Sequence, residues 1–499
     1  MGTGELTGGA SAVSPGAVGE LDRSLLHGLA WTGAGKWTIQ LLSWVSTIVV
    51  ARLLTPTDYG LVGMAALYLA FVALVNEFGL GGAIVQRRDL DDSQIARLGG
   101  LSVALGVFFF ASSVALSGPI ASFFGDRAVR PIVAVLGVSL VLTALQVLPR
   151  SLLTRDLQFR TLAWVDGAEA LSATVVTLLC AVLGLRYWAL VFGQLTGRLA
   201  STLLLAATRW HRHAWPSDLA TIAAPVRFGW HLVVSRIAWY AYTNADFLVV
   251  GRLLGKGPLG AYTLGWNIAS IPVERVSSLV TSVASPVFAA VQRDHAALRR
   301  YIGGLTEGLA LITFPASIGM ALVADELVLV LLGEAWRPAI MPLRLLSLWA
   351  GVRCVMTLLP SVVVSTGHSK RSMQFSLLAT VVLPPLFYLG SHWGTTGVAL
   401  GWLVGYPLVA IPSFWRTALR VTEMPARSYL RALWPATSAT LVMAVLVLGF
   451  RWSRPPTWPS TLCLGADLIV GAVSYTTVVY FAHGARLRAF MALLRSMRS

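Results

Sequence analysis

The chain has few charged residues. Asp, Glu, Lys and Arg make up 12% of its 499 residues, against about 25% in soluble domains. Hydrophobic residues make up 56%. No long hydrophilic stretch separates the apolar segments, which leaves no room for a soluble catalytic domain. These proportions exclude a soluble globular protein and indicate one that crosses a membrane many times.

Cysteine is scarce as well. The three cysteines, Cys180, Cys354 and Cys463, lie in or at the edge of apolar segments and lack the spacing of metal ligands. We therefore expect no structural disulfide, no metal site and no cofactor. The first residues also lack the apolar core of a signal peptide, so we predict a disordered cytoplasmic tail over residues 1–28.

Acidic residues are outnumbered by basic ones, and the formal net charge is +16. Lys and Arg concentrate in alternate loops, the pattern that places basic loops in the cytoplasm of a membrane protein. The pattern predicts that both termini are cytoplasmic. The same pattern explains the excess of basic residues, so no nucleic-acid partner is expected.

Long apolar segments make up most of the sequence. A transmembrane helix needs roughly 20 apolar residues, and we count fourteen such segments. The sequence predicts an all-α polytopic membrane protein with two parallel six-helix lobes and an extra C-terminal helix pair. The predicted units are the tail 1–28, an N-terminal lobe 29–210, an inter-lobe cytoplasmic loop 211–228, a C-terminal lobe 229–416, the appended pair 417–482 and a basic cytoplasmic tail 483–499.

An internal repeat supports the two lobes. Residues 49–54 (VVARLL) recur as residues 249–254 (VVGRLL). Residues 125–149 also match residues 333–360 in their Gly-acid, Arg-Pro and Leu-Pro pairs, at a similar offset. Each predicted lobe has an even number of spans, so the two share one orientation and are related by an axis along the membrane normal. Transporters of this design place their substrate path between the lobes.

Charged side chains inside the predicted spans are candidates for function because burying a charge in a bilayer is costly. Lys36 and Gln40 share one face of the first span, and Arg236 and Tyr240 occupy the same spacing 200 residues later. Asp246 lies off this face, and we give it no role. The candidate cavity residues are Lys36, Gln40, Arg236, Tyr240, Asn244, Asn267, Glu274, Arg275 and Arg353.

Each candidate cation has a structural alternative. Lys36 and Arg236 are close enough to the cytoplasmic end to extend to lipid headgroups, while Arg275 and Arg353 could pair with acids in the bundle. Arg52 and Arg252 follow their spans and are expected to cap the carbonyls of the last helical turn. Residues expected to shape the external turns are Arg52, Pro56, Gly60, Arg252 and Gly255. No catalytic residue is predicted.

Four segments, in order, resemble bacterial polysaccharide flippases of the multidrug/oligosaccharidyl-lipid/polysaccharide (MOP) exporter superfamily. They are residues 51–62 (ARLLTPTDYGLV), residues 78–88 around FGL and AIVQRR, residues 251–262 around GRLLG and LGAY, and residues 331–339 (LLGEAWRPA). The resemblance implies two lobes like those of MATE transporters around a central cavity, lined mainly by spans one, two, seven and eight.

The resemblance further implies alternating access that carries a polyprenyl-(di)phosphate-linked oligosaccharide from the cytoplasmic to the external leaflet for cell-surface polysaccharide synthesis. It places the protein in the bacterial inner (plasma) membrane, among lipids, with a glycan polymerase as a candidate partner. The buried cations would complement the phosphates. We expect a transporter and not an enzyme.

Three other functions remain open. A cation-coupled multidrug antiporter of the same superfamily generally carries an acid in its first span, where this chain has Lys36 and no acid. A membrane-embedded glycan polymerase or ligase usually needs a large external loop, and the external segments here are short. A scaffold without transport would leave the buried charges unexplained.

Overall fold

The computed structural model describes residues 46–76, 80–87, 89–209, 213–215, 236–292 and 294–496. Over these ranges the chain forms helices joined by short turns, without a β-strand. Ten helical segments of this described part are long and apolar enough to cross a membrane. The protein is therefore an all-α, multi-pass membrane protein, as the sequence predicts.

We number the complete helices in chain order. The helices of the first half are α1 Pro56–Asn76, α2 Leu80–Gln86, α3 Asp92–Phe124, α4 Val129–Leu136, α5 Val138–Arg155, α6 Phe159–Val182 and α7 Tyr187–Thr208. Residues 46–53 are also helical and lead into α1.

The second half begins, in the described part, with helical residues 236–243. The helices that follow are α8 Ala245–Val249, α9 Lys256–Ala290, α10 His295–Leu322, α11 Ala324–Leu331, α12 Ile340–Met356, α13 Leu358–Ser365, α14 Ser369–Gly390, α15 Gly394–Leu400, α16 Tyr406–Ala410, α17 Arg416–Val421, α18 Ala426–Ser453 and α19 Ser460–Ser496. Short π-helical or 3₁₀ turns lie at Val250–Leu254, Glu334–Ala339, Ser391–Trp393, Gly401–Gly405 and Ile411–Trp415.

The ends of α3 illustrate how local sequence sets the helix bounds. Asp91 accepts a hydrogen bond from the backbone N–H of Gln94, and the Gln94 side chain accepts one from the backbone N–H of Asp91. This reciprocal pair satisfies donors that the first turn leaves open. At the other end Gly125 adopts φ 72°, a left-handed conformation that glycine accepts without steric cost. Gly333, its counterpart in the second half, also has a positive φ, of 96°.

Three helix–helix contacts connect the main parts of the molecule. α1 packs along α9, which joins the first half of the chain to the second. α18 packs on α10, and α19 packs on α18. The appended pair is therefore attached to the second half.

A cluster of side-chain ion pairs connects the appended helix pair, α18 and α19, to α11. Glu326 of α11 accepts from Arg454 Nη2 at 2.6 Å and is also paired with Arg451. Asp467 of α19, with a fully buried side chain, lies 3.0 Å from Arg454 Nη1 and 3.6 Å from Arg451 Nε. Because each buried acid faces two arginines, the charges are neutralised within the cluster.

Candidate functional site

A cavity of about 680 Å³ lies between helices of the first half and the start of the second. α1, α4, α5 and α7 supply most of its wall, and the helical segment 236–243 closes one side with Arg236 and Trp239. The polar members of the lining are Ser139, Thr143, Gln194, Arg198 and Arg236. The cavity therefore presents two guanidinium groups, an amide and two hydroxyls among apolar side chains.

Arg198 is the second cation of the cavity and was not among the residues predicted to line it. Its Nη1 lies 3.2 Å from Glu169 Oε1 on α6, and its side chain keeps 38% of its accessible surface. Gln146 of α5 donates to the backbone carbonyl of Arg198 at 3.0 Å and to Ser201 Oγ at 2.7 Å. These bonds fix the turn of α7 that carries Arg198 while its guanidinium stays accessible from the cavity.

Tyr240 ties the segment that carries Arg236 to α1. Its hydroxyl donates to the carbonyl oxygen of Leu67 at 2.7 Å, and its ring lies 6.0 Å from the ring of Phe71. Asn244 follows one turn later and donates its amide to the carbonyl of Tyr240 at 3.1 Å. The two predicted residues thus hold this helix in place beside the cavity, and neither is among the residues that line it.

The remaining predicted residues of the second half form a separate group. Glu274 of α9 lies 3.7 Å from Arg353 of α12, whose guanidinium carbon is 5.2 Å from the centre of the Trp349 ring. Asn267 lies exposed on α9, two turns before Glu274. The pairing of Arg353 with an acid elsewhere in the bundle, expected from the sequence, is therefore found. This group does not line the cavity around Arg236.

Three candidates cannot be placed with the others. Lys36 and Gln40 lie outside the described residues. Arg275 lies in α9, but its side chain is outside the described part of the structure.

The predicted turn residues meet at the crossing of α1 and α9. A Cβ atom on Gly60 would lie 1.7 Å from the carbonyl oxygen of Lys256, and one on Gly260 would lie 1.8 Å from that of Pro56. Pro56 and Lys256 are 200 residues apart, as Gly60 and Gly260 are. The two copies of the repeat therefore contact each other through equivalent residues. Only glycine permits backbones to approach this closely. Gly255, with φ 90°, starts α9 at this crossing.

The two repeated arginines also reach across the halves, which corrects the expectation that they cap their own helices. Arg52 donates from Nε to the carbonyl of Leu331 at 2.8 Å and from Nη2 to that of Val330. Arg252 lies over the ring of Phe123, 5.2 Å from its centre. Since α11 ends at Leu331, Arg52 caps a helix of the other half.

Two further contacts secure this crossing and were not foreseen. Trp336, fully buried, donates its indole N–H to the carbonyl of Ala51 at 2.7 Å. Lys256 Nζ lies 2.8 Å from Asp126 Oδ2 in the turn between α3 and α4. Partial burial alone would raise the pKa of Asp126, but the Lys256 ammonium and the Ala128 N–H outweigh it, so the pKa of this carboxyl is lowered.

The cavity and the crossing both lie within residues 49–341, the part of the chain that matches the family model described as polysaccharide biosynthesis protein. That match covers more than half of the chain. The protein belongs to this polysaccharide biosynthesis family.

The chain is similar to the lipopolysaccharide biosynthesis protein WzxC of Escherichia coli, with 27% identity over 83% of this chain and 85% of that one. The succinoglycan biosynthesis transport protein ExoT of Rhizobium meliloti is 24% identical over 95% of this chain and 97% of that one. The name of the second relative describes a transport protein, as expected for a transporter.

Solved structures share the fold. The lipid II flippase MurJ in its inward closed conformation matches with a TM-score of 0.74 at 11% identity, over 92% of this chain and 100% of that one. An inward-facing MATE transporter of the MOP superfamily matches with a TM-score of 0.62 at 16% identity, over 77% of this chain and 95% of that one. At these identities the likeness concerns the fold alone.

Sequence reasoning left two residues of this polysaccharide biosynthesis protein without a role. Arg198 has a detectable signal, because it is a charged residue inside a predicted span and Gln194 stands one turn before it. Trp336 has none, because an indole donor that reaches a carbonyl 285 residues away is a product of tertiary packing.

Proposed function

We propose that this protein is a flippase that moves a polyprenyl-(di)phosphate-linked oligosaccharide from the cytoplasmic to the external leaflet of a bacterial cell membrane. One observation carries the proposal: membrane-spanning helices of a polysaccharide biosynthesis protein enclose a cavity that contains Arg198 and Arg236. The names of relatives support it, since they include a lipopolysaccharide biosynthesis protein and a succinoglycan transport protein.

The chemistry of the lining fits such a substrate. Guanidinium groups offer paired donors that match phosphate oxygens, and Gln194 and Thr143 can exchange hydrogen bonds with sugar hydroxyls. A volume of about 680 Å³ falls in the range of roughly 300–1,000 Å³ that is usual for ligand sites. The head group is the part of the substrate that would enter the cavity, because the apolar polyprenyl chain would stay in the surrounding lipid.

The repeat and the reciprocal crossing support an architecture of fourteen spans in two parallel six-helix lobes plus the appended pair, with both termini cytoplasmic. In this architecture the crossing closes the external end of the path between the lobes. Opening that end while the cytoplasmic end closes constitutes alternating access. A glycan polymerase that uses the product in the external leaflet is the partner that this function implies.

The second candidate is the cation-coupled drug antiporter, which the likeness to a MATE transporter favours. The lining counts against it for cationic drugs, because its described residues include two arginines and no carboxylate that could bind a cation. A membrane-embedded polymerase or ligase has no observation in its favour.

The test is a proteoliposome assay with a fluorescent polyprenyl-diphosphate-linked disaccharide, in which an external quencher reports the fraction that has changed leaflets. Arg198→Gln and Arg236→Gln should each slow the transfer by an order of magnitude or more, because a charge-assisted contact contributes about 1.5–3 kcal/mol. Arg150→Gln is the matched control: Arg150 also pairs with an acid and is also 38% exposed, but it lies outside the cavity. Equal rates for all three variants would refute the role of the cavity.

A further inference from the structure

Two neighbouring turns at the crossing carry basic side chains that the proposed function leaves unused. Arg252 and Lys256 belong to the second half, whereas Arg127 and Arg130 belong to the first, in and after the turn between α3 and α4. The two turns are adjacent, because Lys256 Nζ lies 2.8 Å from Asp126 Oδ2. They therefore bring four basic groups and one carboxylate into one small region, with a net charge of +3.

Arg127 and Arg130 have no acidic partner. Both are exposed, and neither forms an ion pair within the residues that the structure describes, since the carboxylate of Asp126 is bound by Lys256. Helix capping does not explain them either, because both lie at the start of α4 and a cation is disfavoured at a helix N-terminus. The two guanidinium groups therefore keep their hydrogen-bond donors available.

The equivalent turn of the second half is neutralised. Arg337 occupies the place of Arg130 in the repeat, and it pairs with Glu334 at 3.0 Å. Asp126, the counterpart of Glu334, instead contacts Lys256 of the other half. The uncompensated charge is therefore specific to the turn of the first half and is not a general property of the fold.

Membrane topology does not account for these residues. In the proposed architecture the crossing lies at the external end, where loops usually contain few Lys and Arg. Four basic residues in two short turns at that end indicate an anionic ligand. Lipid phosphates are anions present at this depth of the membrane, and guanidinium groups match phosphate oxygens with paired donors.

A diphosphate suits this region better than a single phosphodiester does. Phosphatidylglycerol carries one negative charge, whereas a diphosphate that links a polyprenyl chain to a sugar carries two. The basic groups of the two turns can neutralise the larger charge and can offer it donors from both halves of the chain. In the proposed function, the lipid that carries such a diphosphate in the external leaflet is the product.

We propose that Arg127, Arg130, Arg252 and Lys256 bind the diphosphate of the lipid-linked glycan in the external leaflet and that this binding holds the crossing closed. A phosphate group bound between the two turns connects the first half to the second, so the ligand favours the state in which the turns are adjacent. Product that accumulates in the external leaflet then reduces the opening of its own exporter. The inference rests on the proposed function and adds regulation by product to it.

The experiment measures distances between spin labels on the two halves, at the external end, in nanodiscs with increasing amounts of polyprenyl-diphosphate-linked disaccharide. In the wild type the closed population should rise with the mole fraction of this lipid. The double variant Arg127→Gln, Arg130→Gln should need roughly fivefold more lipid for the same closure, because each exposed ion pair contributes modestly. The cavity arginines are unchanged in this variant, so closure caused by binding in the cavity would remain.

Two comparisons make the result specific. Arg337→Gln is the matched control, because Arg337 occupies the equivalent exposed position but is already paired with Glu334, and it should keep the wild-type response. Phosphatidylglycerol at the same mole fraction should close the wild type less than the diphosphate lipid does. Equal closure by both lipids would overturn the assignment to a diphosphate.

The remaining outcomes separate this inference from the proposed function. An unchanged lipid requirement in the double variant, or wild-type distances that do not respond to the lipid, would overturn product binding at the turns and leave the flippase function intact. A wild type that transfers none of the fluorescent lipid in proteoliposomes would overturn the flippase function and the inference with it. Transfer by the double variant shows that it folds. If it does not fold, the single replacements should each shift the lipid requirement roughly twofold, and no shift in either would contradict the proposal.

Discussion

Gly60 and Lys256 are in direct backbone contact, since a Cβ atom at Gly60 would lie 1.7 Å from the Lys256 carbonyl oxygen. The equivalent pair, Gly260 and Pro56, repeats the contact from the other side at 1.8 Å. A sequence repeat that first served to align two halves is therefore also the surface through which they touch. In the proposed mechanism this surface must separate whenever the external end opens.

Adding a methyl group at this crossing should force it apart. Gly60→Ala and Gly260→Ala should favour the state in which the external end is open, because each new Cβ would overlap a backbone carbonyl that cannot rotate away. Gly63→Ala, one turn further along α1, is the control, since its Cβ would meet Leu259 Cδ2 at an ordinary 3.5 Å. Distances between spin labels on the two halves measure the change. Unchanged distances in Gly60→Ala would show that this backbone contact does not hold the external end closed.

Arg52 should stabilise the closed crossing through its two carbonyl contacts. Arg52→Ala should lower the free energy of unfolding by about 1 kcal/mol, less than the roughly 1.5–3 kcal/mol usual for hydrogen bonds to charged groups, because the contact is exposed. Arg52→Lys should recover only part of the loss, since an ammonium cannot span both carbonyls as a guanidinium does. Thermal unfolding in detergent provides the comparison. Arg337→Ala removes an exposed pair with Glu334 and should have little effect.

The Asp126–Lys256 ion pair gives the closed crossing a pH dependence. The lowered pKa of Asp126 means that the pair contributes fully above the ordinary aspartate pKa of about 3.9 and is lost as the pH falls through the lowered value. The same spin-label distances should therefore lengthen on strong acidification in the wild type. In Asp126→Asn that acid-induced change should be absent. A change of equal size in both proteins would assign the effect to other groups.

The ion cluster should hold the appended pair on the second half. Glu326→Gln leaves Arg451 and Arg454 without the acid that both contact, and breaking a buried pair in this way costs about 3–5 kcal/mol. We expect earlier thermal unfolding and faster proteolysis of the turn between α18 and α19. The exposed acid Glu334, replaced by Gln, is the control. Unchanged proteolysis would mean that the cluster does not fasten the pair.

Much of the fold could be predicted from the sequence, because apolar segments in a bilayer have few alternatives to the helix. The repeat around Arg52 and Arg252 also aligned Gly60 with Gly260 before any contact was known. The partners of these residues could not be predicted. That Arg52 reaches Leu331 depends on how two distant helices cross, which neither hydropathy nor periodicity encodes.

The candidate site was predicted less completely. The polar face that runs through Arg236 led to the cavity, whereas Tyr240 on the same face bonds to Leu67 and does not enter it. Glu274 and Arg353 pair with each other at a distance from that cavity. Asp246 was left without a role because it falls off the polar face, and the structure buries it against Trp402 and Tyr262.

In the proposed function the cavity binds an anionic lipid-linked glycan. The most direct test compares, in the same wild-type proteoliposomes, transfer of the polyprenyl-diphosphate-linked disaccharide with that of a neutral polyprenyl disaccharide that lacks the phosphates. We expect the protein to accelerate transfer of the first lipid and not of the second, because in the proposed function Arg198 and Arg236 bind the phosphates. Equal acceleration of both lipids, or of neither, would contradict it.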